Sequence, residues 1–222
     1  PAARKLCDKY GGYLIMDEAH SLGTLGKTGH GIEEYYNMPG AADLIVGSLA
    51  KSLASVGGFI CGSKDTIEYF EQASQSSLFS APLSAYHVGA ARKALSKIVA
   101  HPEKVSALHE NAAYLRQKLA TAKWSRTTPE TMKFQLFGSE DQPVVPVVYR
   151  DNPMRVLFIT SKLKQAGYLV GAVVAPACPL REPRLRVSAQ STMTKESIDA
   201  FVDTLIRISE ETQSENDLKF DQ

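Results

Sequence analysis

The 222 residues carry 25 Lys and Arg against 24 Asp and Glu, so the formal net charge of +1 implies no face built for nucleic acid or another polyanion. A hydrophobic share of 44% and a charged share of 22% are those of an ordinary globular protein, long enough for one large domain or two small ones with a real core. Cys7, Cys61 and Cys178 are odd in number and lack C-x-x-C spacing. That argues against a disulfide framework and a zinc site, and for a reducing, cytoplasmic compartment. No apolar run approaches the length of a membrane span.

In chain order, Ala2 to Tyr10 is predicted helical and Gly11-Gly12 is its stop. The chain begins without a methionine, on what reads as the end of an amphipathic helix rather than a signal peptide. It is therefore expected to be the C-terminal part of something longer. Tyr13 to Met16 is predicted as a short buried strand with Asp17 at its end, followed by a Gly-rich loop from Ser21 to Gly31. Ile32 to Tyr36 reads as a helical turn, Leu44 to Ser48 and Gly58 to Cys61 as strands, and Asp65 to Gln75 as a helix. Ser76 to Ser80 is polar and turn-like, and Pro82 opens a helix running to about Ala100.

His101-Pro102 breaks the pattern, and a long helix follows with Val105, Leu108, Ala112, Leu115 and Leu119 at helical spacing. Val144 to Tyr149, Tyr168 to Val174 and Leu185 to Val187 read as strands, and Arg155 to Gln165 as a helix. Thr194 caps a last helix with Ile198, Phe201, Val202, Leu205 and Ile206 on one face, and Ser209 to Gln222 is expected to fray. The pattern is α/β: residues 1–101 form part of a mainly parallel-sheet domain, and residues 102–222 a smaller α+β domain.

Two stretches carry chemistry. In Gly47-Ser48-Leu49-Ala50-Lys51 a lysine follows directly on a short apolar strand. Burial there disfavours the ammonium and suits the amine to imine formation with an aldehyde. Asp17-Glu18-Ala19-His20 is open to two readings. One is the magnesium-binding box of a nucleic-acid-dependent ATPase, with Gly26-Lys27-Thr28 as the tail of a phosphate loop. Such a loop needs four residues between its first glycine and its Gly-Lys, whereas Gly23 leaves only two, and it should precede the acidic box. The other reading takes Asp17, His20 and Lys51 together as groups for pyridoxal phosphate (PLP). A carboxylate keeps the pyridine nitrogen protonated, an imidazole donates to the phenolic oxygen, and an amine meets the aldehyde carbon. Ser48 then offers its hydroxyl and backbone to the phosphate.

Four segments, in this order, resemble the α-oxoamine synthases: DEAHSLGTLGKTGHG from Asp17, GSLAKSLASVGGFICG from Gly47, SLFSAPLSA from Ser77 and PRLRVSAQSTMTKESID from Pro183. These are the PLP enzymes that condense an acyl-CoA with an amino acid, including serine palmitoyltransferase, 8-amino-7-oxononanoate synthase, 2-amino-3-ketobutyrate CoA ligase and 5-aminolevulinate synthase. The resemblance implies that Lys51 is the Schiff-base lysine, that Asp17 pairs with the pyridine nitrogen and that His20 pairs with the phenolic oxygen. It implies Ser48 as a phosphate ligand in place of a threonine. Ser80 would reach the phosphate bound by a partner subunit, hence a homodimer with shared sites. Arg186, which taken alone reads as a surface salt-bridge residue, would hold the substrate carboxylate.

The family chain is nearly twice as long, so the fragment alone is expected to bind PLP weakly and to be inactive. The implied reaction joins an amino acid to an acyl-CoA with decarboxylation, giving an α-aminoketone. A class I/II aminotransferase of the same fold is the alternative. Such enzymes often place an arginine for the phosphate some eight residues past the lysine, and Ser52 to Phe59 contains none. The presence of Lys51 argues against a catalytically silent subunit.

Overall fold

The structure, a computed structural model, describes residues 1–125, 128–140, 142–150 and 152–212. The chain forms two compact units, Pro1–Ser106 and Ala107–Gln222.

The first unit opens with α1 (Ala2–Tyr10), which stops where Gly11 turns left-handed at φ 66° and closes back on the Cys7 carbonyl. β1 (Ile15–Asp17) runs parallel to β2 (Leu44–Ser48), and β3 (Gly58–Gly62) returns antiparallel on the far side of β2. The sheet order is β1-β2-β3, so one ladder is parallel and one antiparallel. The short connection Leu49–Gly57 decides this, because a parallel return needs a crossover of about a dozen residues or more.

α2 (Ile32–Tyr35) is a single turn after the Gly-rich loop, and α3 (Lys64–Ala73), α4 (Gln75–Phe79) and α5 (Ala85–Ala100) follow the sheet. The core of this unit is small: Leu49, Leu53 and Ala91, with Leu22, Phe59, Ala94 and Ile98 packed around them.

Several expectations give way here. The first strand, predicted as buried, is partly open, with Ile15 61% exposed, and in β3 Ile60 is 52% exposed. Phe59 packs on the core, so the two-residue alternation turns Ile60 to the other face. The stretch read as a turn, Ser76 to Ser80, is largely helix: Ser74, extended at ψ 123°, ends α3 and caps α4, which starts at Gln75. Pro82 lies before α5, whose N-cap is Ser84.

The second unit is a four-stranded antiparallel sheet of order β4-β5-β7-β6: β4 (Gln135–Leu136), β5 (Val144–Val148), β6 (Gly171–Val173) and β7 (Arg184–Ser188). α6 (Glu103–Ala120) contributes Ala112, Leu115 and Leu119 to this unit. It is joined there by α7 (Pro153–Gln165) and α8 (Lys195–Glu211) around one continuous core of Leu115, Leu119, Val145, Val147, Ile159 and Leu205 among others. The predicted apolar stripe of the last helix is buried at all five positions. Ser209 is not frayed: it is fully buried and its hydroxyl meets the Tyr149 hydroxyl at 2.7 Å. Residues 213–222 of that expected tail lie outside the described residues.

Candidate active site

The parallel β1–β2 ladder sets Ile15 opposite Leu44, Met16 opposite Ile45 and Asp17 opposite Val46. The Glu18 amide extends it by donating to the Val46 carbonyl at 2.8 Å. Both strands therefore end at one edge of the sheet. The Asp17–His20 turn leaves from one, and the Ser48–Lys51 segment from the other. In open α/β sheets, ligands bind outside the carboxyl ends of the strands. The two loops also touch beyond the strands. A Cβ built on Gly23, in the Gly-rich loop, would lie 2.7 Å from the Ser52 Cβ, one residue past the lysine.

The lysine loop is held from beneath. Leu49 and Leu53 are buried on either side of Lys51, which is exposed. The Leu49 amide donates to Gly57 O at 2.9 Å, Ser55 N to Leu49 O at 2.8 Å and Ala54 N to Lys51 O at 2.9 Å. Gly47 gives the strand its smallness where it is needed. Its register partner is Phe59, and a Cβ at Gly47 would run into that ring. Ser48 Oγ accepts from the Ala50 amide at 3.1 Å, so the hydroxyl stays at the mouth of the loop. The desolvated lysine expected at the end of a buried strand is not what these residues make. β2 is half-buried along its length and Lys51 is open.

Asp17 and His20 are exposed, whereas Glu18 between them is buried. Asp17 Oδ1 accepts from the Ala19 amide at 2.8 Å, and the His20 carbonyl accepts from Thr24 Oγ1 at 2.6 Å. The Gly-rich loop that follows is organised by carboxylates. Glu34 accepts from the amides of Thr28 and His30 and from the Thr28 hydroxyl at 2.7 Å. Burial pushes the Glu34 carboxyl up, but those hydrogen bonds outweigh it and hold the group below the ordinary glutamate range. Glu33 accepts from Gly40 N at 3.0 Å and Ala42 N at 2.9 Å, closing the turn into β2.

Residue type alone marks Glu18 only as part of a motif. The usable signal was strand alternation, which puts Glu18 on the face opposite Asp17.

Ser80 is the exposed residue after α4. In the second unit, Leu185 and Val187 of β7 point into the core while Arg184 and Arg186 share the outer face. Arg184 pairs with Glu182 at 3.0 Å, and Arg186 stands between Pro146 and Gly171 in register. An apolar groove of about 590 Å³ lies in the first unit, lined by Leu22, Leu49, Leu53, Phe59, Leu83 and Leu95 among others. Its lining includes none of Asp17, His20, Ser48 or Lys51. Among the described residues no helix is long and apolar enough to cross a membrane.

The family model for class I and II aminotransferases matches residues 2–205. The chain is 32% identical over 216 residues to serine palmitoyltransferase from Sphingobacterium spiritivorum, covering 97% of this chain and 51% of that protein. It is 32% identical to 8-amino-7-oxononanoate synthase from Petrotoga mobilis, covering 90% of this chain and 48% of that one. Among solved structures it is similar to a variant of serine palmitoyltransferase from S. paucimobilis, solved with a bound PLP–myriocin aldimine: TM-score 0.82, 26% identity, 94% of this chain and 50% of that chain. The chain thus spans about half the length of the relatives it matches. On the match across most of its length, it belongs to the class I and II aminotransferase family.

Proposed function

We propose that the protein carrying this chain is a PLP-dependent acyltransferase that condenses an amino acid with an acyl-CoA thioester, with loss of carbon dioxide, to give an α-aminoketone. One observation carries the reading: the parallel register that ends β1 and β2 at a common edge, with Asp17 and His20 leaving one strand and Ser48 and Lys51 the other. The chemistry of that donor set fits the cofactor: a carboxylate, an imidazole, a hydroxyl and a primary amine, all at open positions or at the loop mouth. The names of the relatives, serine palmitoyltransferase and 8-amino-7-oxononanoate synthase, support the reaction class.

Bound PLP supplies an electron sink for negative charge developing at the substrate α-carbon. Lys51 Nζ anchors the cofactor and afterwards takes the α-proton of the amino acid. The Ala19 amide fixes Asp17 Oδ1, which leaves Oδ2 to hold a proton on the pyridine nitrogen. The His20 imidazole donates to the phenolic oxygen, and the Ser48 hydroxyl binds phosphate. Ser80 serves the phosphate of the partner subunit's site in a homodimer. Arg186 binds the substrate carboxylate until it departs as carbon dioxide. The free thiols Cys7, Cys61 and Cys178 support a cytoplasmic setting.

The test gives the full-length protein, loaded with PLP, a panel of amino acids and acyl-CoAs. Expected are free CoA, carbon dioxide and a product of α-aminoketone mass. The family match also admits an aminotransferase. Conversion of an oxo acid to its amino acid, with no CoA released from any acyl-CoA, would replace the proposed reading with that one.

A further inference from the structure

The motif's second acid has no part in the chemistry above, yet it is the buried one. Glu18 is 3% exposed, and its carboxylate joins the two ends of the Gly-rich loop. One oxygen, Oε2, accepts from the Ser21 hydroxyl where the loop begins. The other, Oε1, accepts from the Ile32 amide at 2.8 Å where the loop ends. The main chain of the same residue does as much. Its amide donates to Val46 O at 2.8 Å, on the lysine strand, and its carbonyl accepts from Ser21 N at 3.2 Å and Leu22 N at 3.0 Å.

Gly31 makes room for this. It has φ 91°, and a Cβ there would collide with the Glu18 carboxylate. Across the neck, Gly23 N donates to Gly29 O at 2.7 Å and Gly31 N to Leu25 O at 3.0 Å. A turn in which His20 is exposed is thus tied to the far end of the loop through one buried side chain, and to the strand that leads to Lys51 through the amide of the same residue.

We propose that Glu18 is a positioning residue for Asp17 and His20: its carboxylate clamps both ends of the 21–31 loop and so fixes the directions in which those two side chains meet the cofactor ring. This rests on the PLP reading above. The clamp needs an acceptor for the Ile32 amide and a hydrogen-bonding partner, acceptor or donor, for the Ser21 hydroxyl. Alanine leaves the Ser21 hydroxyl and the Ile32 amide without them. Glutamine keeps an acceptor for Ile32 and offers Ser21, whose hydroxyl can rotate, a donor instead.

The test compares wild type, Glu18→Ala, Glu18→Gln and Ser21→Ala as full-length, PLP-loaded proteins, with Lys51→Ala as control. Three quantities are read at matched cofactor occupancy. They are the pH midpoint of the bound-cofactor absorbance, kcat, and amide hydrogen exchange over residues 18–32 in the cofactor-free protein. Glu18→Ala is expected to move the pH midpoint, to lower kcat by about 10-fold to 100-fold and to speed exchange across the loop. Glu18→Gln should remain within about threefold of wild type in kcat, and Ser21→Ala should fall between the two. Should Glu18→Ala fail to fold, Ser21→Ala carries the same prediction at smaller amplitude. A lowered Tm with an unchanged pH midpoint and unchanged kcat per bound cofactor, in whichever of the two folds, overturns the proposal. If instead the wild type holds no cofactor that Lys51→Ala removes, the PLP reading fails and the inference falls with it.

Discussion

Single side chains do more of the shaping here than their exposure suggests. Gly47 faces Phe59 across the β2–β3 ladder with no space for a methyl group. Gly47→Ala should therefore destabilise the first unit by about 1–3 kcal/mol in urea unfolding, through forced displacement of the ring. Adding Phe59→Leu should recover part of that loss, giving a non-additive cycle, whereas strict additivity would mean that the two positions do not compete for one space.

Glu34 makes a pH prediction at the same scale. Its folded carboxyl is held below the ordinary range, so its contribution is present above the unfolded glutamate pKa and is lost as pH falls through the lower folded value. Protease cleavage within the 21–31 loop should rise on acidification below the ordinary glutamate range in wild type. In Glu34→Gln it should be faster already at neutral pH and less dependent on acid. Equal pH dependence in both would contradict the role given to that carboxylate.

At the scale of elements, α8 shows how ends are held. Thr194 and Ser197 form a reciprocal capping box at its start, with Ser197 N donating to Thr194 Oγ1 at 3.2 Å and Thr194 N to Ser197 Oγ at 3.1 Å. At its end, Arg155 of α7 is 3% exposed and donates to the carbonyls of Ser209 at 2.8 Å and Thr212 at 3.1 Å, with its guanidinium over the Tyr149 ring. The positive charge meets the negative end of the helix dipole. Arg155→Met should cost about 3 kcal/mol, and Thr194→Ala about 1 kcal/mol, measured by chemical denaturation of the second unit. Equal, near-zero effects would show that neither contact holds an end of α8.

These two ends also show what could be read in advance. The Thr194 cap and the apolar stripe behind it are local and periodic, so the sequence displays them, as it does the Gly11 stop of α1. Arg155 reaches residues 54 and 57 positions away, and no local pattern encodes that partner. The site divides in the same way. Asp17, His20 and Lys51 stand out by residue type and loop context. Glu18 is buried by alternation and satisfied by Ile32, 14 residues on, so its role emerges only once the loop is folded.

At the scale of the molecule, the two units differ in how much core they own. The first rests on Leu49, Leu53 and Ala91 with a few partly buried neighbours, while the second has a continuous core drawn from three helices and a four-stranded sheet. The single tryptophan, Trp124, packs against the second core, edge-on to Phe134 at 5.2 Å. In denaturant, Trp124 fluorescence should therefore change at a higher midpoint than the first loss of helical ellipticity, since α1 to α5 belong to the weaker unit. Coincident transitions would show that the units unfold as one.

The loops leaving β1 and β2 are proposed to meet one cofactor ring, and covalent trapping of the cofactor tests this. The full-length protein is loaded with PLP, reduced with borohydride, digested and mapped by peptide mass. A single pyridoxyl addition is expected on the peptide containing Lys51, abolished by Lys51→Ala and diminished by Asp17→Ala. Addition elsewhere, or none at all with the protein folded, would contradict it.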